Sequence, residues 1–170
     1  MEKKYILTDE KIDCCGHTLS RIRAVRDFAG IKSGTIGGYI EAEHNLSHEG
    51  AAWVSDSAVV SGDAHVTGAA HVTGNAVVTG AAVVTGAAHV TGDAWVSGNA
   101  DFAVISGFGR AFRTTTFFRC KDNLVRCKYG CFYGTVDEFR SKVRETHGNS
   151  KYAKEYLMIA DLMELHFKED

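Results

Sequence analysis

Proline is absent from the 170 residues, so nothing in the composition breaks a strand ladder or a helix from within. No apolar run approaches the roughly 18 residues of a membrane span. The opening, MEKKYILTDEKID, also lacks the apolar core of a signal peptide. These absences predict a cytoplasmic chain with no membrane partner. Lys and Arg are missing from Ser33 to Gly109, where seven acids stand alone. With a net charge of -2, general coating of nucleic acid is excluded. Basic charge is local: Arg110, Arg113, Arg119, Lys121, Arg126 and Lys128 face a single acid, Asp122, between Val104 and Cys131.

The five cysteines are Cys14, Cys15, Cys120, Cys127 and Cys131, and they fit reduced thiols of a reducing compartment. The Cys127–Cys131 spacing, with Cys120 as the nearest third thiol, hints at zinc. Small side chains in a hairpin account for it more simply, and neither metal nor cofactor is expected.

What the chain has in abundance is a six-residue period. Val54, Val60, Val66, Val72, Val78, Val84, Val90 and Val96 form a row that Phe102 continues. Alanine follows each valine by four positions, from Ala58 to Ala100, and glycine follows by two from Gly62 to Gly98. A helix cannot use this pattern. Six residues turn it through about 600°, which scatters the valines around its axis. Short strands with a glycine at each corner can, by winding into a three-sided prism of three hexads per coil. Valine then points inward and alanine fills the tight interior.

This pattern resembles the hexapeptide repeat of left-handed parallel β-helix proteins, with one departure. Thr or Ser stands between the aliphatic residue and the glycine. The hexad xVSGxA, preceded by GTIGGYIEAEHNLSHEGAAWVSD, is similar to YdcK-like and prophage-encoded members. TTTFFRCKDN, GCFYGTVDEF and ETHG resemble the tails of phage-borne ones. The resemblance spans nearly the whole chain and implies a mainly β fold: a left-handed parallel β-helix with N-terminal strands, a C-terminal β-hairpin and two helices. The expected divisions are an N-terminal hairpin cap over 1–35, the β-helix over 36–105, an exit loop and hairpin over 106–134, and helices over 135–170.

Three hexads per coil stack residues eighteen apart. The outward ladders are then Trp53, His71, His89 on one face, Val59, Val77, Trp95 on the next, and His65, Val83, Asp101 on the third. Exposed Trp53, Val59, Val77 and Trp95 would be covered in a homotrimer, the common assembly of hexapeptide prisms. KKYILTDEKI and HTLSRIRAVRDF alternate as a hairpin turning near Cys14–Gly16 and closing the first coil. Ile40 and Leu46 keep the step, and Val54 comes two residues late. His44 and His48, near Glu41, Glu43 and Glu49, could be written as a metal cluster but are expected to be solvated loop residues. Lys121–Asn123 is a hairpin turn. Thr135–Glu138 is a capping box for a helix to about Thr146, stopped at Gly148. The last helix presents Tyr156, Ile159, Ala160, Met163 and Phe167 on its apolar side.

Two stretches could carry chemistry. Hexapeptide trimers include acyltransferases using acyl-CoA, in which a histidine deprotonates the acceptor. That draws attention to His71 and His89, although both fit as ladder filler. The stronger candidate is SGFGRAFRTTTFFRCK, where Gly107, Arg110, Arg113, Thr114, Thr115, Arg119 and Lys121 combine approachable backbone N–H groups, forked donors and hydroxyls suited to an anion. Phe108, Phe112 or Tyr129 would stack a base. Alternatively, the arginines pair with acids of a neighbouring subunit's helices. The expected function is a non-enzymatic trimeric binding protein of phage or prophage type, acting in the host cytoplasm. It would sequester a small anionic, nucleotide-like ligand or block a host protein. An acyltransferase and a structural trimerisation module are the alternatives.

Overall fold

A computed structural model describes residues 2–168. The chain forms two compact units, Met1–Asn99 and Ala100–Asp170. The first opens with strands β1 (Tyr5–Cys14), β2 (His17–Ala24) and β3 (Ile36–Ile40), then a 3-10 turn at Glu43–Asn45. Eight two-residue strands follow: β4 (Trp53–Val54), β5 (Val59–Val60), β6 (His65–Val66), β7 (His71–Val72), β8 (Val77–Val78), β9 (Val83–Val84), β10 (His89–Val90) and β11 (Trp95–Val96).

Parallel pairing arranges these strands in three columns, β3–β5–β8–β11, β4–β7–β10 and β6–β9. The result is a β-solenoid of about 3 turns. Val59 N donates to the Ala76 carbonyl at 2.9 Å, and Val77 N to Ala94 at 2.9 Å. Inside lie the valines of the six-residue row and the alanines from Ala58 to Ala94, all fully buried. The corners require glycine: Gly62, Gly68, Gly74, Gly80, Gly86 and Gly92 have φ between 62° and 70°, the left-handed region that a Cβ disfavours. At Gly80 an added Cβ would also lie 2.1 Å from the Ser97 carbonyl oxygen.

The late arrival of Val54 has a structural counterpart. Ile40 pairs with Val60 and Leu46 bridges to Val66, whereas Val54 pairs with Val72. The two extra residues therefore fall between Leu46 and Val54. The first strand and its neighbours tie this longer stretch down. The buried Lys4 ammonium donates to the Ala52 carbonyl at 2.7 Å, and the Tyr5 hydroxyl to Leu46 at 2.7 Å. Buried Asn45 donates to Gly62 and Ala64 carbonyls at 2.9 and 2.8 Å. His48 is not the solvated residue expected. Its ring stacks on Tyr5 at 4.2 Å, and its Nδ1 accepts from Lys4 N at 3.3 Å. His44 stays exposed, against the Gly62 carbonyl at 2.9 Å. Among the described residues no group of three or more His, Cys, Asp or Glu is placed to hold a metal ion.

The exposed ladders need correction. Trp53, Val59 and Val77 are buried within the single chain, and of the four side chains invoked for a trimer Trp95 alone stays exposed, at 37%. β2 pairs antiparallel with β3, so the N-terminal hairpin extends the first column. Leu19, with Ile12 and Cys14, then packs over Tyr39, Val59 and Val77. Phe28 meets Trp53 edge-on at 5.4 Å. The hairpin is thus a side cover for the solenoid as well as an extension of its first column.

The second unit holds β12 (Phe102–Ile105), β13 (Thr115–Arg119), β14 (Val125–Tyr129), β15 (Phe132–Thr135), α1 (Val136–His147) and α2 (Lys151–His166). The expected hairpin is a four-stranded antiparallel sheet in the order β12-β13-β14-β15. Phe102 does not continue the valine row: it pairs antiparallel with Phe118. Alternation in FAVI satisfies this sheet edge as well as the six-residue step, and the antiparallel partner wins. Thr135 caps α1 through a capping box with Glu138, and Gly148 terminates it. Tyr156, Ile159, Ala160, Met163 and Phe167 join Phe117, Cys127, Phe139 and Val143 in one core. No helix among the described residues is long and apolar enough to cross a membrane.

Leu19→Ala is expected to lower stability by about 2–5 kcal/mol, because a fully buried side chain of the cover is lost. Val83→Ala, at a 43% exposed site, should stay within about 0.5 kcal/mol. Equal effects in urea titrations would show that the hairpin cover is not packed as described. Burial, with Arg26 nearby, lowers Lys4 to about 8 from an ordinary lysine's 10.5. The folded state therefore binds that proton less readily than the unfolded chain. Wild-type stability should rise relative to Lys4→Met between about pH 8 and pH 10.5, and a flat difference would contradict the burial.

Candidate functional site

The second unit contains a cleft of about 150 Å³ where β14, β15 and the two helices converge. Its apolar wall comes from Phe132, Phe139 and Val143; Tyr129 and Tyr156 present hydroxyls, and Arg113, Lys142 and His147 bring basic groups. Among the described residues no carboxylate lines it.

Local structure sets each member. Tyr129 and Phe132 pair across the two-residue turn Gly130–Cys131, which places Cys131 at the surface. Arg113 lies close over this turn. A Cβ at Gly130, whose φ is 54°, would stand 2.9 Å from its Nη1. Lys142, Val143, Thr146 and His147 fall at helical spacing on α1 and line the cleft together. The Tyr156 hydroxyl donates to Tyr129 Oη at 2.6 Å. Burial, aided by that bond, raises its pKa well above the ordinary phenol range. The His147 ring lies 5.7 Å from that of Tyr156. A basic, aromatic and hydroxyl-bearing cleft of this kind can orient a small anion with a flat apolar part.

The structure disperses the other residues proposed from sequence. Thr115 is buried in β13. Thr114 Oγ1 lies 2.9 Å from Ser106 Oγ. Arg119 is engaged within its own unit, donating to the Phe167 carbonyl at 3.0 Å and pairing with Asp101 at 3.6 Å. Arg110 and Lys121 are exposed. Gly107 has φ 87° and open space around it. The anion-accepting backbone N–H of Gly109 is occupied by a carboxylate of the same chain, Glu155 Oε2 at 2.8 Å. Glycine is required there, since a Cβ would collide with Tyr156. Arg113 alone of the proposed set lines the cleft.

No family model and no curated protein matches this chain. In the solenoid, His71 and His89 pair in register and their rings stack at 5.2 Å and 10°. Burial first, then the neighbouring His89, holds the His71 pKa below the ordinary imidazole value. The pair is one rung of a regular column beneath Trp53.

Sequence reasoning missed Lys142, His147 and Tyr156 as site residues. The usable signal was ETHG, which puts a histidine one residue before the glycine that ends α1. Burial also pushes the Cys127 thiol up, away from the reactive thiolate form. A maleimide should label Cys131 in the native protein but reach Cys120 and Cys127, both buried, after unfolding. Native labelling of Cys127 would contradict the packing of the helices on the sheet.

Proposed function

We propose that this chain is a non-enzymatic binding protein whose C-terminal unit captures a small anionic ligand through the Arg113–Lys142–His147 cleft. What supports the reading is the lining: Arg113, His147, two tyrosines and apolar walls, with Lys142 paired to Glu145 at 2.9 Å and no acid among the described lining residues. The volume, about 150 Å³, equals that of roughly five waters. It suits one ring or one phosphate group of a nucleotide-like ligand. In this reading the repeat is a left-handed hexapeptide scaffold of the phage- and prophage-borne type. Capture without turnover fits an accessory or counter-defence role in a host cytoplasm. A homotrimer built on the solenoid faces has less to rest on, because the chain itself covers Trp53, Val59 and Val77.

Calorimetry with nucleoside monophosphates, cyclic nucleotides and acyl-CoAs tests the proposal. Arg113→Ala should weaken the bound member by about 10- to 100-fold, the loss of a charge-assisted hydrogen bond worth roughly 1.5–3 kcal/mol. His71→Ala with His89→Ala should leave it unchanged. Acyl-CoA turnover that disappears with the histidines would replace the reading with an acyltransferase. Failure of the whole panel to bind would redirect it to a protein partner.

A further inference from the structure

β1 and β2 are joined by Cys15 and Gly16 alone, with Cys14 paired to His17. Both linking residues have positive φ, 57° and 82°, as in the type I′ turn that suits strand twist. Asn, Asp or Gly is the usual first residue of such a turn. A cysteine there carries a steric penalty, and its side chain is exposed, so packing does not account for it. Its sulfur lies 3.2 Å from that of Cys14. Cys14 in turn packs against the cluster of Leu19, Tyr39, Val59 and Val77.

We propose that Cys14 and Cys15 form a reversible two-electron thiol–disulfide site, closed by exchange with a low-molecular-weight disulfide such as oxidised glutathione. The exposed Cys15 thiolate attacks one sulfur of that disulfide. The S–S bond breaks, and one glutathione leaves as thiolate and takes up a proton. Cys14, as thiolate, then attacks Cys15 Sγ and expels the second glutathione, which is protonated likewise. Two protein thiols are oxidised to one disulfide, one glutathione disulfide is reduced to two thiols, and the two protein protons end on them. The resolving sulfur already stands beside its target.

The closed ring is a labile one. Adjacent Cα atoms across a trans peptide are about 3.8 Å apart, short of the roughly 4.4–6.8 Å that disulfides span. Strained disulfides are the easily reduced, regulatory kind. Closing the ring draws the Cys14 sulfur toward Cys15 and away from the apolar cluster. The hairpin's hold on the solenoid face thereby becomes sensitive to thiol–disulfide balance.

The test uses the full chain equilibrated in graded ratios of oxidised to reduced glutathione, trapped by alkylation and mapped by peptide mass. The peptide containing Cys14 and Cys15 should lose two hydrogens, and both thiols should become unreactive and return with mild dithiothreitol. Cys14→Ser should stop at glutathione on Cys15, at a level more than tenfold above the mixed disulfide in wild type. Wild-type protein that accumulates glutathione on Cys15 with Cys14 still alkylatable would overturn the proposal. So would a peptide unchanged under full oxidation.

Discussion

Backbone hydrogen bonds between successive turns govern everything in the first unit. His65 N donates to Ala82 O at 2.9 Å and His71 N to Ala88 O at 2.8 Å, and the same step recurs along each column. Such a ladder holds only if every turn follows the same path, because a shift of one residue would turn inward side chains outward. The narrow interior then admits valine and alanine, and the corners demand positive φ. Where the path lengthens between Leu46 and Val54, the backbone groups thrown out of step find other partners. Lys4, Tyr5 and Asn45 supply them as buried or half-buried donors, which avoids the cost of unsatisfied polar groups.

The repeat was legible in sequence because a period of six with glycine corners suits neither a helix nor a long strand. The cover was not. Alternation in HTLSRIRA shows which side chains share a face, but not what that face meets. Leu19 therefore gave no sign of packing on Val59 and Val77, and the ladders counted as exposed. At the other end, the capping box and the apolar side of α2 were readable from local chemistry. The cleft was legible only in Arg113 and Tyr129. Val143 and Tyr156 look like ordinary core positions of amphipathic helices, and they are. They line the cleft together with Arg113 and Cys131, a relation between distant segments that no spacing encodes.

Charge counting also overstated what the basic segment offers a ligand. Arg126 is held in a bidentate pair with Asp122 at 2.7 and 2.6 Å, and that guanidinium lowers the Asp122 carboxyl to about 2. Arg119 fastens the end of α2, and Arg140 joins α1 to α2 through Asp161 and Glu164 at 2.8 and 2.6 Å. A guanidinium fixed this way orients the fold around it, and an incoming anion would have to displace its carboxylate. The useful quantity for ligand capture is therefore positive charge lining a concave surface without a carboxylate of its own, which favours Arg113 over Lys142, itself paired with Glu145 at 2.9 Å.

Local stability separates the scaffold from its cover. The solenoid turns are joined by three parallel columns around a fully buried interior, so opening one turn exposes apolar surface on its neighbours. The hairpin pairs along only part of its length, with irregularities between Leu7 and Lys11 and between Arg21 and Arg23. Near its tip it holds the solenoid through the small cluster of Ile12, Cys14 and Leu19 on Tyr39, Val59 and Val77. Regions with few buried contacts open first, and the tip, with two adjacent thiols at a strained turn, is such a region. A chemical change there can alter the cover without disturbing the ladder, because the valine interior makes no use of either sulfur.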